Sequence, residues 1–158
     1  VAYLSGDEVS ARVAMEEAVD LAPQSPEIIG YEGALLDLMG DFRGAVRAYR
    51  EAISLSHHSQ PWIAANLALT LLALDENIEA EAVLREVVKH YRDYARAWIG
   101  LAVALVRQGR TKEANAAAKQ LMALDRHFTV GGWAKSKPFS DLRILDRFVA
   151  DLRAAGLN

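Results

Sequence analysis

The chain of 158 residues is long enough for one domain with a continuous core, and 52% apolar residues with only four prolines favour an ordered, helix-rich protein. It has no cysteine, which excludes disulfides and thiol chemistry and is typical of a cytoplasmic protein. The net charge of −3 is uneven, because residues 1–41 carry nine acidic and one basic side chain whereas residues 42–158 carry 12 acidic and 17 basic ones. The basic residues are spread over several predicted helices, which argues against nucleic-acid binding.

Residues 1–24 are predicted to form half of a helix pair. Val1–Leu4 resembles the end of a first helix, and Asp7 to about Leu21 has apolar residues at helical spacing. A stack of helix pairs normally begins with a complete pair and a polar cap. We therefore expect this chain to be part of a longer protein.

Three complete pairs of amphipathic helices are predicted to follow. They are Pro26–Met39 with Phe42–Leu55, Pro61–Leu74 with about Ile78–Lys89, and Tyr94–Arg107 with Lys112–Leu124. Residues 52–74 carry no charge, but Ser56–Pro61 interrupts them and leaves an apolar run shorter than the roughly 20 residues of a membrane helix. We therefore expect no membrane insertion.

The helix pairs repeat every 34 or 35 residues, and small residues recur at equivalent places. These are Gly33, Ala68 and Ala102 in first helices, and Ala11, Ala45, Ala80 and Ala114 in second helices. A helix pair with this period resembles the tetratricopeptide repeat family. The resemblance covers residues 1 to about 127. It implies an all-α fold in which the helix pairs form a right-handed α–α superhelix, also called a solenoid. We assign residues 1–24 to a half-repeat and residues 26–59, 61–93 and 95–127 to complete repeats.

Residues 128–158 are predicted to be a connector followed by a C-terminal capping helix, Asp141–Ala155. We expect its apolar side to cover Ala114–Met122 of the last repeat and its neighbours, which would otherwise be exposed. That side consists of Leu145, Phe148, Val149 and Leu152.

The tail carries a second resemblance, through the pattern Phe128, Trp133, Pro138-Phe139, Arg147-Phe148 and Gly156-Leu157. It is similar to the C-terminal end of repeat regions in some bacterial multidomain signalling proteins. The resemblance implies a larger parent protein with an adenylate/guanylate cyclase or DNA-binding regulator domain upstream. No cyclase catalytic residue is present in this chain.

No motif for catalysis, a cofactor or a metal ion is found. The chain lacks a Gly-rich phosphate loop, HExxH and Gly-x-Ser-x-Gly. Asp75, Asn77, Glu79 and Glu86 have the spacing of a calcium loop, but Ala80 stands where the loop requires glycine. The sequence therefore predicts no catalytic residues, no cofactor and no metal site, and we expect the protein not to be an enzyme.

The family resemblance implies that first helices line a concave groove that binds a protein or peptide segment. The family's ligand-facing positions give the candidate binding residues Trp62, Asn66, Leu69, Leu72, Arg96, Ile99, Val103, Val106 and Arg107. This groove is predicted to be apolar, with Asp37, Arg96 and Arg107 towards its edges, which suits an amphipathic helix or an extended apolar segment.

A carboxylate clamp is the alternative mode of binding. In the chaperone-binding subgroup of the family, five basic and amide side chains bind a C-terminal carboxylate. Asn66 and Arg96 match two of these positions. The other three are occupied by Gly30, Ala34 and Gly100, which have no side-chain hydrogen-bond donor. The sequence thus favours the apolar segment over a free carboxylate.

The predicted function is a non-catalytic protein–protein interaction scaffold. Its partner is a segment of another protein, of another domain of the parent chain or of a second copy. Self-association as a homodimer is the main alternative, and an enzyme is the least supported one. A further alternative is that the solenoid's own curvature and the tail partly fill the groove.

Overall fold

The computed structural model describes residues 25–56, 60–136 and 141–158, together with Ser10, Val13, Ala14 and Glu17, which are helical. The predicted half-repeat, including Ala11, therefore lies largely outside the described residues. From Ser25 onwards the described residues form eight α-helices and no strand. They are α1 (Pro26–Leu38), α2 (Phe42–Leu55), α3 (Pro61–Ala73), α4 (Asn77–His90), α5 (Ala95–Arg107), α6 (Thr111–Leu124), α7 (Val130–Lys135) and α8 (Leu142–Ala154).

The first six helices form three antiparallel pairs that stack on one another. Each helix from α1 to α6 packs on the next one, and the first helices also contact each other, α1 with α3 and α3 with α5. The ends of these six helices differ from the predicted ends by no more than one residue. The predicted all-α solenoid is thereby confirmed.

The same turn ends the first helix of every pair. Gly40, Asp75 and Gly109 occupy equivalent places and have φ values of 83°, 63° and 72°. In each case the amide of the next residue donates to a carbonyl five residues back, at 2.9 Å, as in the pair Arg110 to Leu105. Glycine adopts this left-handed conformation without a Cβ penalty, whereas Asp75 adopts it at some cost.

The recurring small residues mark places where helices approach closely. Ala45, Ala68, Ala80, Ala102 and Ala114 are completely buried. A Cβ atom on Gly33 would lie 2.8 Å from the ring of Tyr49. Larger residues at these places would push the helices apart, which explains why the period is visible in the sequence.

The C-terminal helix α8 packs on α5 and on α7. Phe148 and Leu152 are completely buried, while Leu142 is 68% exposed. The chain end is held as well, because the Val130 amide donates to the Asn158 carbonyl at 2.7 Å. The tail is thus an integral part of the folded unit.

The position of α8 corrects the sequence prediction. We expected it to cover the Ala114–Met122 face of α6, but its main helix partner is α5, the first helix of the third pair. The physical reason lies at the end of α5, where Arg107 is held by Asp151 and lies over the ring of Phe148, with 4.9 Å between the guanidinium carbon and the ring centroid. A second ion pair, from Arg147 to Asp75, fixes α8 to the end of α3.

The second helices α4 and α6 carry charged pairs that link neighbouring repeats. Glu81 is buried and accepts hydrogen bonds from Arg85, Arg110 and Gln108. Burial opposes the charged form, yet these hydrogen bonds lower the pKa of the Glu81 carboxyl. The face of the stack away from the first helices is therefore stabilised by ion pairs.

No helix in the described part of the chain is both long and apolar enough to span a bilayer.

Candidate binding groove

An open pocket of about 320 Å³ lies among the first helices α1, α3 and α5, and α2 also contributes to its wall. Ser136, at the end of α7, contributes to its wall from the tail. The described residues that line it are Ala34, Asp37, Leu38, Phe42, Tyr49, Asn66, Leu69, Thr70, Ala73, Arg96 and Ser136. The open part of the groove is therefore centred on the first two repeats.

A carboxylate lies in this pocket. Asp37 comes from α1 and is largely buried, and the Tyr49 hydroxyl from α2 donates to its Oδ2 at 3.0 Å. The Thr70 hydroxyl from α3 lies 2.8 Å from Oδ1 and 2.7 Å from Oδ2 of the same carboxylate. Three helices thus converge on one negatively charged group.

Burial changes the protonation behaviour of both acidic groups. Burial raises the pKa of Asp37 to about 6, although the hydrogen bonds from Thr70 and Tyr49 and the charge of Arg96 oppose this shift. Burial and the neighbouring Asp37 carboxylate also raise the pKa of Tyr49. At neutral pH the pocket therefore holds an ionised carboxylate beside a neutral phenol.

Arg96 and Asn66, the two residues that match a carboxylate clamp, lie at this pocket but are hydrogen-bonded to each other. Arg96 Nη1 donates to Asn66 Oδ1 at 2.9 Å, and Asn66 is also hydrogen-bonded to Tyr49. The Asp37 carboxylate in the same pocket repels another carboxylate. The geometry therefore does not favour capture of a free carboxylate.

An aromatic pair lies on the first helices near the other end of the groove. The rings of Tyr31 and Trp62 stack with centroids 4.9 Å apart and an interplanar angle of 26°. Tyr31 remains 56% exposed, although most large apolar side chains of the stack are buried. A Cβ atom on Gly30 would lie 2.8 Å from Trp62, so the absence of a side chain there makes room for the pair.

The candidate residues fall into two groups in the structure. Asn66, Leu69 and Arg96 line the open pocket, and Trp62 belongs to the aromatic pair. The others belong to the hydrophobic core or, in the case of Arg107, are bound to α8: Leu72, Ile99, Val103, Val106 and Arg107. The sequence-based groove therefore splits into an open half and a filled half.

The second group corrects the prediction of an apolar wall open to a ligand. Leu72 and Val103 have no exposed surface, and Ile99 is 6% exposed. Val106 is partly buried against the core, and the Arg107 side chain is 6% exposed. The chain's own helix α8 also packs on α5. That the tail partly fills the groove stays a prediction.

Sequence reasoning missed two polar side chains of this pocket, those of Tyr49 and Thr70. Asp37 was placed near an edge of the groove, whereas Tyr49 and Thr70 were not singled out at all. Tyr49 lies on α2, a second helix, and reaches the concave side only because Gly33 leaves space for its ring. One signal was available, since Asp37 is a charged residue flanked by Leu36 and Leu38 in the otherwise apolar second half of the helix.

The fold and the pocket define an α-helical repeat scaffold with a groove on its concave side. Residues 71–128 match the sequence model described as tetratricopeptide repeat, and the fold of the described residues is that of a tetratricopeptide solenoid. None of the curated protein sequences matches the chain.

Solved structures with the same fold cover most of this chain. MamA from Desulfovibrio magneticus RS-1 has a TM-score of 0.72 and 19% identity, covering 98% of this chain and 83% of that one. YrrB, described as a TPR protein with an unusual peptide-binding site, has a TM-score of 0.67 and 14% identity, covering 96% and 81%. The first TPR of Spaghetti (RPAP3), bound to the HSP90 peptide SRMEEVD, has a TM-score of 0.66 and 16% identity, covering 84% and 91%. At these identities the likeness concerns the fold.

Proposed function

We propose that this protein is a non-catalytic interaction scaffold that binds a peptide segment of a partner protein in the open half of its groove. The observation that carries the proposal is the pocket of about 320 Å³ between α1, α3 and α5. It combines apolar walls with a few polar groups that converge from several helices, as peptide-binding and ligand-binding clefts do. The peptide-binding site named for YrrB and the HSP90 peptide bound to the Spaghetti domain support the same use of the fold.

The described residues offer little for chemistry. They contain no cluster of three or more His, Cys, Asp or Glu side chains that could hold a metal ion. In the pocket, the hydroxyls of Tyr49 and Thr70 are both bonded to Asp37, and none of the described residues that line it is a histidine or a lysine. Binding is therefore the function that this arrangement supports best.

A display selection tests the proposal directly. The chain is immobilised and panned with a phage-displayed library of random dodecapeptides, and enriched peptides are synthesised for titration. Ala34→Trp places a large ring in the pocket, so it should weaken binding at least tenfold. The matched control is Ala82→Trp, at an exposed site on α4, and should leave the affinity unchanged. If no peptide is enriched, or if both variants bind alike, the proposal is wrong.

The same proposal places the repeats in the cytoplasm, within a larger bacterial signalling or regulatory protein. The resemblance of the tail to the ends of repeat regions in such proteins supports this context. The reading frame that encodes the chain tests it, since an upstream cyclase or DNA-binding domain is expected there. Homodimer formation stays a prediction from the sequence, and light scattering at several concentrations measures it.

A further inference from the structure

The Asp37 carboxylate is a partly buried charge without an ion-pair partner among the described residues. The ion pairs within 4.0 Å involve other carboxylates, including Asp75, Glu81 and Asp151, and not Asp37. Arg96 is the nearest charge of opposite sign that acts on it, but its guanidinium is hydrogen-bonded to Asn66. Burial of an ionised group is costly unless a counter-charge or sufficient hydrogen bonds compensate it. A cation from outside would relieve this cost.

The hydrogen bonds around Asp37 decide which cation fits. The Thr70 hydroxyl is almost equidistant from the two carboxylate oxygens, so it occupies the edge that an arginine fork would need. The Tyr49 hydroxyl occupies a further site on Oδ2. A compact ammonium approaches a single oxygen and needs no free edge. The remaining acceptor capacity therefore suits a primary ammonium better than a guanidinium.

The walls of the pocket suit the rest of a lysine side chain. Ala34, Leu38, Leu69 and Ala73 supply apolar surface around the approach to Asp37. A lysine buries its methylene groups along such surface while its charged end reaches a polar group. We propose that this pocket receives one lysine side chain of the bound peptide, whose ammonium donates to the Asp37 carboxylate. The proposal rests on the peptide-binding function inferred above and names the residue that the groove selects.

The aromatic pair fixes a second feature of the peptide. Tyr31 lies six residues before Asp37 on α1, which is about 9 Å along a helix axis. An extended peptide advances about 3.3 Å per residue, so roughly three residues cover this distance. The peptide should therefore carry an apolar or aromatic residue about three positions from its lysine, resting on the Tyr31–Trp62 pair.

The experiment uses the peptides enriched from the random dodecapeptide library on the full chain. We expect a lysine at one aligned position with an apolar residue about three positions away. Replacing this lysine by norleucine should weaken binding at least tenfold, and replacing it by arginine should also weaken it. Asp37→Asn should weaken the binding of the lysine peptide by a similar factor and leave the affinity for the norleucine peptide unchanged. Circular dichroism and thermal melting establish that the variant is folded.

The matched control is Glu51→Gln, which removes one negative charge on the exposed side of α2 and should not alter any affinity. Two outcomes overturn the lysine assignment but leave the peptide-binding function intact. In both, Ala34→Trp weakens the binding of the enriched peptides. In the first the peptides share no lysine, and in the second Asp37→Asn does not change their affinity. An arginine peptide as tight as the lysine peptide also overturns it. Absence of any enriched peptide overturns the proposed function itself.

Discussion

Arg107 on α5 and Asp151 on α8 form an ion pair in which Nε donates to Oδ2 across 2.6 Å. Their side chains are only 6% and 19% exposed, and the guanidinium also donates to the Leu72 carbonyl and lies over the ring of Phe148. Arg107 was expected to sit at the edge of a ligand groove. It is instead a residue through which the C-terminal helix is attached to the third repeat.

We expect Arg107→Ala to be strongly destabilising, because it leaves the Asp151 carboxylate half-buried without its cation and removes the contact with Phe148. Breaking a buried pair from one side costs about 3–5 kcal/mol. Urea unfolding followed by circular dichroism measures the loss. Arg147→Ala is the comparison, since its pair with Asp75 is more than half exposed on both sides and such pairs contribute about 1 kcal/mol or less. Equal effects of the two variants would contradict the assignment of Arg107 as the main anchor.

The buried face of α8 predicts a contrast between two leucines. Leu152→Ala should lower the free energy of unfolding by about 2–5 kcal/mol, because Leu152 has no exposed surface. Leu142→Ala should change it by less than about 0.5 kcal/mol, because that side chain is 68% exposed at the start of the same helix. Thermal melting of both variants gives the comparison. Similar melting temperatures would mean that α8 does not pack on the repeats in solution.

The two halves of the groove should respond differently when a negative charge is introduced by substitution. Val103→Glu should unfold the chain or cause aggregation, because Val103 is completely buried and an unpaired carboxylate there is costly. Leu69→Glu should keep the native helicity, because Leu69 is partly exposed in the pocket, but should abolish peptide binding. Circular dichroism and peptide titration separate the two outcomes. A folded Val103→Glu protein would show that the tail leaves this wall accessible.

The repeat architecture was predictable because its cause is local and recurs. Gly40 and Gly109 end helices by the same hydrogen bond, and the small residues at Ala68 and Ala102 permit the same close packing. Any one of these signals is weak, but at a spacing of 34 or 35 residues they support one another. The predicted ends of the six repeat helices therefore lie within one residue of the observed ends.

The candidate site was less predictable, because it depends on where the tail lies. The residue pattern of α8 indicates that one face is buried, but not which surface covers it. Nothing local connects Arg147 to Asp75, which are 72 residues apart, and this pair helps to place α8 on the first helices. Residues such as Leu72 and Val103 consequently looked like ligand contacts although they belong to the core. The hydrogen bonds to Asp37 were missed because Tyr49 and Thr70 come from different helices.

Asp37 makes stability depend on pH in a direction opposite to that of most carboxylates. Its pKa is raised from 3.8 to about 6 in the folded protein, so the folded state binds the proton more tightly than the unfolded chain does. The resulting stabilisation is fully present below pH 3.8 and is lost as the pH rises through about 6. Asp37→Asn removes this titration. We expect the variant to gain stability over the parent between pH 4 and pH 7, by at most about 3 kcal/mol.

Urea unfolding of both proteins at several pH values gives this difference. The groups that face Asp37 do not obscure it, because Tyr49 has a raised pKa and stays neutral throughout, and Arg96 is present in both proteins. Carboxylates with lowered pKa values, such as Asp75 and Glu81, weaken both proteins equally in acid and cancel in the comparison. Glu51→Gln should show no such trend, because Glu51 is exposed. A stability difference between Asp37→Asn and the parent that stays constant from pH 4 to pH 7 would show that Asp37 is well solvated, which would remove the physical basis for a lysine pocket.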